Sequence, residues 1–566
     1  MKKRAIFLIS VISVLFSVQI DAQVAPQKYF VEFMDKANSP YSVSRPNEFL
    51  SDRAISRRQK QGIAIGEEDL PVNPSYVNRV RNYANSILTR SKWFNGVTIS
   101  CLNPALVDSI RLLPFVKKIV KNLNTLNDKT SSISIDKIDI EESLLEYDIP
   151  ACLPEIMSYN NNSSYNYGPS FRQVHMLNGD SLHSMGYKGQ GLVIAILDGG
   201  FFSVDQLVAF DSLWFNNQIL GTKDFVVPGN NVFIESPHGM EVLSCMGGNI
   251  PGLLIGTAPK ASYWLLRSED VRSENLIEEY NWVAAAEFAD SVGADIINSS
   301  LGYTQFDDVT KNHTCSDMNG NTTPVTRGAN LAFNKGMIVI NSAGNSGGSS
   351  WKCVSAPADG FNVLAVASVD SNGVRAGSSS VGEATKRIKP NVAAMGVYTV
   401  VSSPVGTIMR ASGTSFSSPL VAGMIACLWQ AAPNWSNEII KRAVELSSSR
   451  VMSPDSLTGY GIPDFVKAIK IVSVSESSNN KTFTLYPNPF SSRLTLSVYS
   501  AGEQEIGISV RDQQGRVIYS LQKQRVRAGE NEISLANLYA FSNGIYFISV
   551  TTNDFTSTSK VIKINN

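Results

Sequence analysis

Four mainly apolar runs between residues 192 and 369 constrain this chain most. They are Leu192-Val193-Ile194-Ala195-Ile196-Leu197, then Ala294-Asp295-Ile296-Ile297-Asn298, Met337-Ile338-Val339-Ile340-Asn341 and Val363-Leu364-Ala365-Val366-Ala367-Ser368-Val369. They show little of the apolar–polar alternation of a half-exposed strand. Helical spacing fills the gaps between them, at residues 277–292 and 328–334. Strands buried on both faces and separated by helices specify an α/β domain with a mostly parallel sheet. In such sheets chemistry sits beyond the carboxyl ends of the strands. Asp198, Asn298 and Asn341 fall at those ends.

The rest of the chain divides around this domain. Its 566 residues amount to about three or four domains. With 43% hydrophobic and 17% charged residues it is not a disordered chain. Lys2, Lys3 and Arg4 precede an apolar stretch over 5–18 and a small residue, Ala22, which predicts a signal peptide over 1–22. That stretch is shorter than the about 20 residues of a membrane span, and no Cys follows it to carry a lipid. No later segment reaches span length, so the mature chain is expected to be exported and not membrane-spanning. Residues 23–125 predict a small α/β unit, with strands over 28–33, 93–100 and 115–120 and helices over 47–58 and 106–113. Residues 126–165, rich in Asn and Ser, predict a linker open to processing. The α/β domain spans 166–472, and a Ser-rich linker is expected at 473–482. Residues 483–566 turn to period two (Leu494/Leu496/Val498, Ile506/Ile508/Val510, Ile545/Phe547, with Ser549 opposed to Val550) around a Gln514-Gly515 turn. That pattern predicts a β-sandwich. Equal numbers of basic and acidic residues, 49 each, argue against nucleic acid as a partner.

Four residues of the α/β domain attract chemical attention. Ser415 lies in Gly413-Thr414-Ser415-Phe416-Ser417-Ser418-Pro419, where an irregular segment enters an apolar helix and Pro419 is expected in its first turn. A Ser there is a helix cap, or a nucleophile if a base reaches it. His238, in Pro237-His238-Gly239, is the best placed of four histidines; it is a base, or an ordinary packed residue. A zinc reading of His238 with Glu241 lacks a second His at helical spacing. Asp198 ends an apolar run before Gly199-Gly200; it is a partner for another buried group, or a cap. Asn345, in Ser342-Ala343-Gly344-Asn345, is an oxyanion donor, or part of a plain turn.

Taken together these pieces resemble the catalytic domain of the subtilisin-like serine peptidases. The resemblance rests on Gly191–Asp198, His238-Gly239, Asn298-Ser299-Ser300-Leu301-Gly302, Ser342-Ala343-Gly344-Asn345, Lys389-Pro390-Asn391-Val392-Ala393-Ala394 and Gly413-Thr414-Ser415, in the order Asp, His, Ser. Met240 stands where Thr is usual and Met395 where Pro is usual. The resemblance implies a subtilisin-like three-layer domain and an endopeptidase with Ser415 as nucleophile, His238 as base and Asp198 behind it. It implies oxyanion binding by Asn345 and the Ser415 backbone, and substrate binding by Ser300, Leu301, Gly302, Ala343 and Gly344. The surroundings of Leu301 and Ala343-Gly344 suggest an uncharged side-chain site. No cofactor is required for such chemistry.

The flanks carry resemblances of their own. Phe49-Leu50-Ser51 with Arg53-Ala54-Ile55 and Arg57-Arg58 is similar to bacterial subtilase propeptides, implying a chaperone and inhibitor made as part of a zymogen. Leu485-Tyr486-Pro487-Asn488-Pro489-Phe490, Gly515-Arg516-Val517 and Gly544-Ile545-Tyr546 are similar to the sorting domain of type IX secretion cargo. That implies the type IX machinery as a partner, and a route through the periplasm of a Gram-negative bacterium to its surface or beyond. A generic adhesion or binding module is the alternative for either flank. Protein or peptide substrates and a monomeric state are expected. Cys315 and Cys353, in loops of an exported domain, are the expected disulfide, and Cys245 and Cys427 buried free thiols. Asp317-Met318-Asn319-Gly320-Asn321 is rich enough in oxygen for a structural calcium, although a plain turn explains it better. The competing reading of the whole is a catalytically silent binding protein on a peptidase scaffold.

Overall fold

A computed structural model describes residues 27–122, 165–382, 387–476, 483–500, 503–527, 529–535, 538–552 and 556–564. The expected signal peptide and nearly all of the 126–165 linker lie outside the described residues. The chain forms two units, Met1–Val466 and Lys467–Asn566.

The first unit begins with β1 (Lys28–Phe33), α1 (Asp52–Lys60), α2 (Pro74–Arg81), β2 (Ser86–Ser91), β3 (Gly96–Ser100), α3 (Pro104–Arg111) and β4 (Val116–Lys121). The strands form one antiparallel sheet in the order β2-β3-β1-β4. Each helix starts on a side-chain cap: Ser51, Asn73 and Asn103 accept from Ala54, Ser75 and Ala105, and Pro74 and Pro104 open the last two. The sequence reading missed α2 and β2, which carry few apolar residues to mark a period.

The α/β domain follows. It contains α4 (Phe171–His175), α5 (Gly179–Ser184), β5 (Val193–Asp198), α6 (Asp211–Phe215), β6 (Ile219–Asp224), α7 (His238–Gly247), β7 (Asn249–Ile250), β8 (Leu254–Ile255), β9 (Ser262–Arg267) and α8 (Ile277–Val292). Next come β10 (Ile296–Ser299), α9 (Pro324–Asn334), β11 (Ile338–Ser342), β12 (Leu364–Val369), β13 (Val392–Met395), β14 (Thr399–Ser402), β15 (Ile408–Ala411), α10 (Thr414–Ala431), α11 (Asn437–Ser447) and α12 (Phe465–Glu476). The four apolar runs become β5, β10, β11 and β12. They lie inside a seven-stranded parallel sheet ordered β13-β12-β11-β10-β5-β9-β6. Every residue of β5, β10, β11 and β12 is buried, which is why their sequences need no polar face. The helix α10 is buried from Thr414 to Trp429 and packs on β10–β13 and on α7. Helix α12 ends at Glu476, four residues into the segment expected as a linker from 473.

The N-terminal domain sits on α8. Phe30 stacks on Tyr280 with ring centroids 4.2 Å apart. Asp290, fully buried, accepts from Arg57 at 2.6 Å, Arg58 at 2.8 Å and Lys92 at 3.0 Å. Arg58 also pairs with Asp69 at 2.8 Å. Glu287 accepts from Ser91 Oγ at 2.5 Å and from the N–H groups of Lys92 and Trp93. Burial pushes the Glu287 carboxyl up to about 7 despite those donors. Asp290 is desolvated too, but three cations outweigh that cost and hold it well below the usual carboxylate range.

The second unit contains β16 (Phe483–Tyr486), β17 (Leu494–Ser500), β18 (Gln504–Arg511), β19 (Val517–Val526), β20 (Gly529–Leu535), β21 (Gly544–Thr551) and β22 (Thr556–Lys563). Two antiparallel sheets, β16-β17-β20 and β19-β18-β21-β22, share one core of Leu494, Leu496, Val498, Ile506, Ile508, Val510, Ile548 and Val550. One face was misassigned in β21. Tyr546, Ile548 and Val550 point inward, while Ile545 is half-buried and Phe547 exposed. Because strand faces alternate, choosing Phe547 over Ile548 inverts the whole strand. Gly515, at φ +80°, makes the β18–β19 turn, with Asp512 accepting from Gln514 and Arg516 N–H.

Candidate active site

Asp198 is the last residue of β5 and His238 the first of α7. They meet because of Gly239: a Cβ there would lie 2.3 Å from the Gly200 carbonyl oxygen and 2.9 Å from Asp198 Cβ. Only glycine lets the helix start this close to the strand end. His238 Nδ1 lies 2.8 Å from Asp198 Oδ1, with both side chains buried. Burial alone would lower the imidazole pKa. The Asp198 charge, its hydrogen bond and the Glu241 charge outweigh that and raise it above the ordinary 6.5. With Nδ1 occupied, Nε2 is the free face of the ring, and it has no hydrogen-bond partner among the described residues.

Ser415 lies in the first turn of α10, after Gly413 at φ +153° and ψ +157°, a conformation nearly closed to residues with a Cβ. The neighbouring Phe416 places its ring centroid 6.2 Å from that of His238. Ser415 Oγ lies 3.5 Å from the Ser300 carbonyl oxygen. The helix begins at Thr414, so Pro419 stands inside it rather than in its first turn. Pro419 has no N–H for the Ser415 carbonyl four residues back. Ser300 Oγ supplies the missing donor at 2.9 Å. That bond ties the start of α10 to the segment after β10, and Ser418 Oγ adds a second tie to Asn298 Oδ1 at 2.8 Å.

Asn345 follows β11. Its Oδ1 accepts from Thr414 N–H and Thr414 Oγ, each at 2.9 Å. A backbone N–H can only donate, so this contact fixes which way the amide faces and leaves Nδ2 as a donor beside the first turn of α10. The N–H groups of that turn carry the positive end of the helix dipole. Asn341 Nδ2 holds the Leu301 carbonyl at 2.9 Å and so places Ser300-Leu301-Gly302 beside Ala343-Gly344. A histidine held by a carboxylate, a serine at a helix start and an amide donor together can take a proton, attack a carbonyl and bind the resulting oxyanion.

Residues 189–461 match the subtilase family. They belong to it. Residues 28–137 match the peptidase S8 propeptide domain of Bacteroidota, and residues 484–565 the secretion system C-terminal sorting domain. The sorting domain marks the chain for secretion or the cell surface. Subtilisin NAT of Bacillus subtilis subsp. natto is 29% identical over 281 residues, 49% of this chain and 65% of its own length. Thermitase of Thermoactinomyces vulgaris is 29% identical over 289 residues, 50% of this chain and 90% of its own. Among solved structures, the prenylagaramide maturation protease PagA aligns at 24% identity and a TM-score of 0.42, covering 52% of this chain and 98% of that one.

The other histidines of the subtilase domain have structural work. His183 is buried between Tyr167 Oη at 2.7 Å and the Thr257 carbonyl at 3.0 Å, and burial lowers its pKa to about 4. His175 pairs with Asp180 near the surface, and His313 Nε2 lies 2.6 Å from Glu279. Cys315 and Cys353 are joined in a disulfide with Cα atoms 6.0 Å apart; Cys245 and Cys427 are buried free thiols. The oxygen-rich run 317–321 makes turns: Asp317 accepts from Thr314 N–H and Oγ, and Asn319 Oδ1 from Asn321 N–H. Glu269, Glu274 and Glu278 bring carboxylate oxygens within 4.8 Å of one another, a grouping the sequence reading did not single out. It also missed Thr414, which orients Asn345, and the bond from Ser300 Oγ to the Ser415 carbonyl. A proline four residues after Ser415 was a legible sign that one carbonyl needed an outside donor.

Proposed function

We propose that the chain is a secreted serine endopeptidase made as a zymogen. Ser415 attacks the scissile carbonyl. His238 takes its proton at Nε2 and returns it to the leaving amine. Asp198 holds the tautomer and stabilises the imidazolium. Asn345 Nδ2 and the Ser415 N–H receive the oxyanion. The substrate backbone lies along Ser300–Gly302 as an added strand, with Ala343-Gly344 on the far side of its side chain. No cofactor takes part in these steps.

The observation that carries this reading is His238, buried, bound through Nδ1 to Asp198 at 2.8 Å, with Nε2 free beside the first turn of α10. The 3.5 Å contact of Ser415 with Ser300 suits a resting site, since catalytic hydrogen bonds often tighten only when substrate binds. The N-terminal domain, seated on α8, serves as inhibitor until it is cut away. The sorting domain addresses the chain to the type IX machinery. A fluorophosphonate probe tests the central claim: the matured protein labels at Ser415, and a folded His238→Ala variant does not. A folded wild-type protein that stays unlabelled overturns the reading in favour of a silent scaffold.

A further inference from the structure

Glu241 shares the first turn of α7 with His238. Residues three apart on a helix lie on one face, with Cβ atoms about 5–6 Å from each other. Helical Cα–Cβ bonds tilt toward the amino end, so the Glu241 side chain leans back over His238. Both residues are only 1% exposed. Backbone bonds fix the turn that carries them. Glu241 N–H donates to the Pro237 carbonyl at 3.0 Å, and the Glu241 carbonyl accepts from Ser244 Oγ at 2.6 Å. Ser244 Oγ in turn accepts from Ser402 N–H at 3.0 Å, which ties this turn to β14.

Two helices begin at His238. It is the first residue of α7, and Phe416, in the first turn of α10, brings its ring to 6.2 Å from the imidazole. The first turn of a helix favours a carboxylate and disfavours a cation. Protonating His238 therefore sets a full positive charge against two positive helix ends, whereas Glu241 is a carboxylate where α7 favours one. The elements packed on α7 add little charge of their own. β5 brings Asp198 and α10 brings Cys427, while β8, β14 and the 208–210 turn bring no titratable side chain. α7 itself adds Cys245. Burial pushes both thiols up, so they stay neutral. Arg267, at the end of β9, is engaged by Asp224 and Glu235 at 2.8 and 3.2 Å. Asp198 and Glu241 are the charges that act on the ring, and both favour its protonated form.

We infer that Glu241 is a positioning residue of the peptidase, a second buried carboxylate that acts with Asp198 to stabilise the His238 imidazolium formed as Ser415 attacks. The inference rests on the peptidase reading above. The two carboxylates differ in how they act. Asp198 holds Nδ1 by a hydrogen bond and so fixes the tautomer. Glu241 acts by its charge from the same helical turn, and leaves Nε2 to the Ser415 proton.

The test has two readouts. The first is the NMR titration of His238 in full-length Ser415→Ala protein carrying 15N-histidine. The chain has four histidines, and the signal lost in a His238→Ala variant identifies the one that counts. Glu241→Gln keeps the side-chain shape and lowers the midpoint by about one pH unit, about tenfold in proton affinity. Glu241→Asp, which keeps the charge, stays close to the wild-type midpoint. The second readout is kcat/KM against pH for matured protein with Ser415 intact, counted by fluorophosphonate titration. In Glu241→Gln the acid limb moves down by the same amount, and the plateau falls about threefold to tenfold because a less basic imidazole is a weaker base. A Glu241 that merely held the helix in place would lower the plateau and leave the midpoint where it was. A midpoint unmoved in folded Glu241→Gln therefore overturns the role of Glu241 while the peptidase reading stands. A folded wild-type protein that neither labels nor cleaves overturns both.

Discussion

Asp290→Asn is the perturbation that most directly tests how the N-terminal domain is held. Asp290 is fully buried and accepts from Arg57, Arg58 and Lys92 at 2.6–3.0 Å. All three cations belong to the N-terminal domain and Asp290 to α8. Removing one partner from a buried ion cluster costs about 3–5 kcal/mol, because the remaining charges stay desolvated. Asp69 still neutralises Arg58 and partly Lys335, at 2.8 and 3.1 Å, whereas Arg57 has no second ion pair among the described residues and keeps only the more distant charge of Asp295. The loss therefore falls on Arg57 and Lys92. Converted at 1.36 kcal/mol per factor of ten, it amounts to roughly 150- to 5,000-fold in the opening equilibrium of the domain. The carboxyl is held below its ordinary range, so its contribution is full above the ordinary value of 3.8 and is lost as pH falls through the depressed one. Neutral pH is thus the right place to look. The assay is native-state hydrogen exchange of full-length Ser415→Ala protein, read at the β2 and β3 amides. Protection there falls by the stated factor while β10–β12 amides stay unchanged. A fall of less than fivefold would mean that pairing and desolvation cancel at this interface, and it would refute the reasoning.

Two further outcomes concern catalysis. Asn345→Ala lowers kcat by about 10²–10³ with little change in KM, the loss known for removing such a donor in subtilisin itself; steady-state kinetics on one peptide decides it. Proton abstraction needs neutral His238, whose pKa lies above 6.5 through Asp198 despite burial. Hence kcat/KM climbs about tenfold per pH unit on the acid side and levels off above a midpoint higher than 6.5. Asp198→Asn moves that midpoint down, and a wild-type midpoint at or below 6.5 contradicts the electrostatic account.

Much of the candidate site is legible in the sequence. Asp198, His238, Asn345 and Ser415 each stand in a local frame whose glycine has a steric reason, and Gly239 and Gly413 show those reasons in full. The four apolar runs announced a buried parallel sheet because strands covered on both faces have no polar side to alternate with. Less legible were elements defined by few apolar residues, such as α2 and β2, and the inward face of β21, where a one-residue choice inverts everything.

What sequence alone determined, then, is the set of chemical groups, their order, and the kind of layers that hold them. Those follow from short-range rules of periodicity, capping and backbone freedom. Tertiary structure decided everything that depends on which distant segments meet. It turned Thr414 into the group that orients Asn345, 69 positions away in the chain. It gave the Ser415 carbonyl a donor from Ser300, 115 positions away. Burial and electrostatics are properties of such meetings, and for that reason the raised His238 pKa and the Asp290 cluster appear only once the chain has folded.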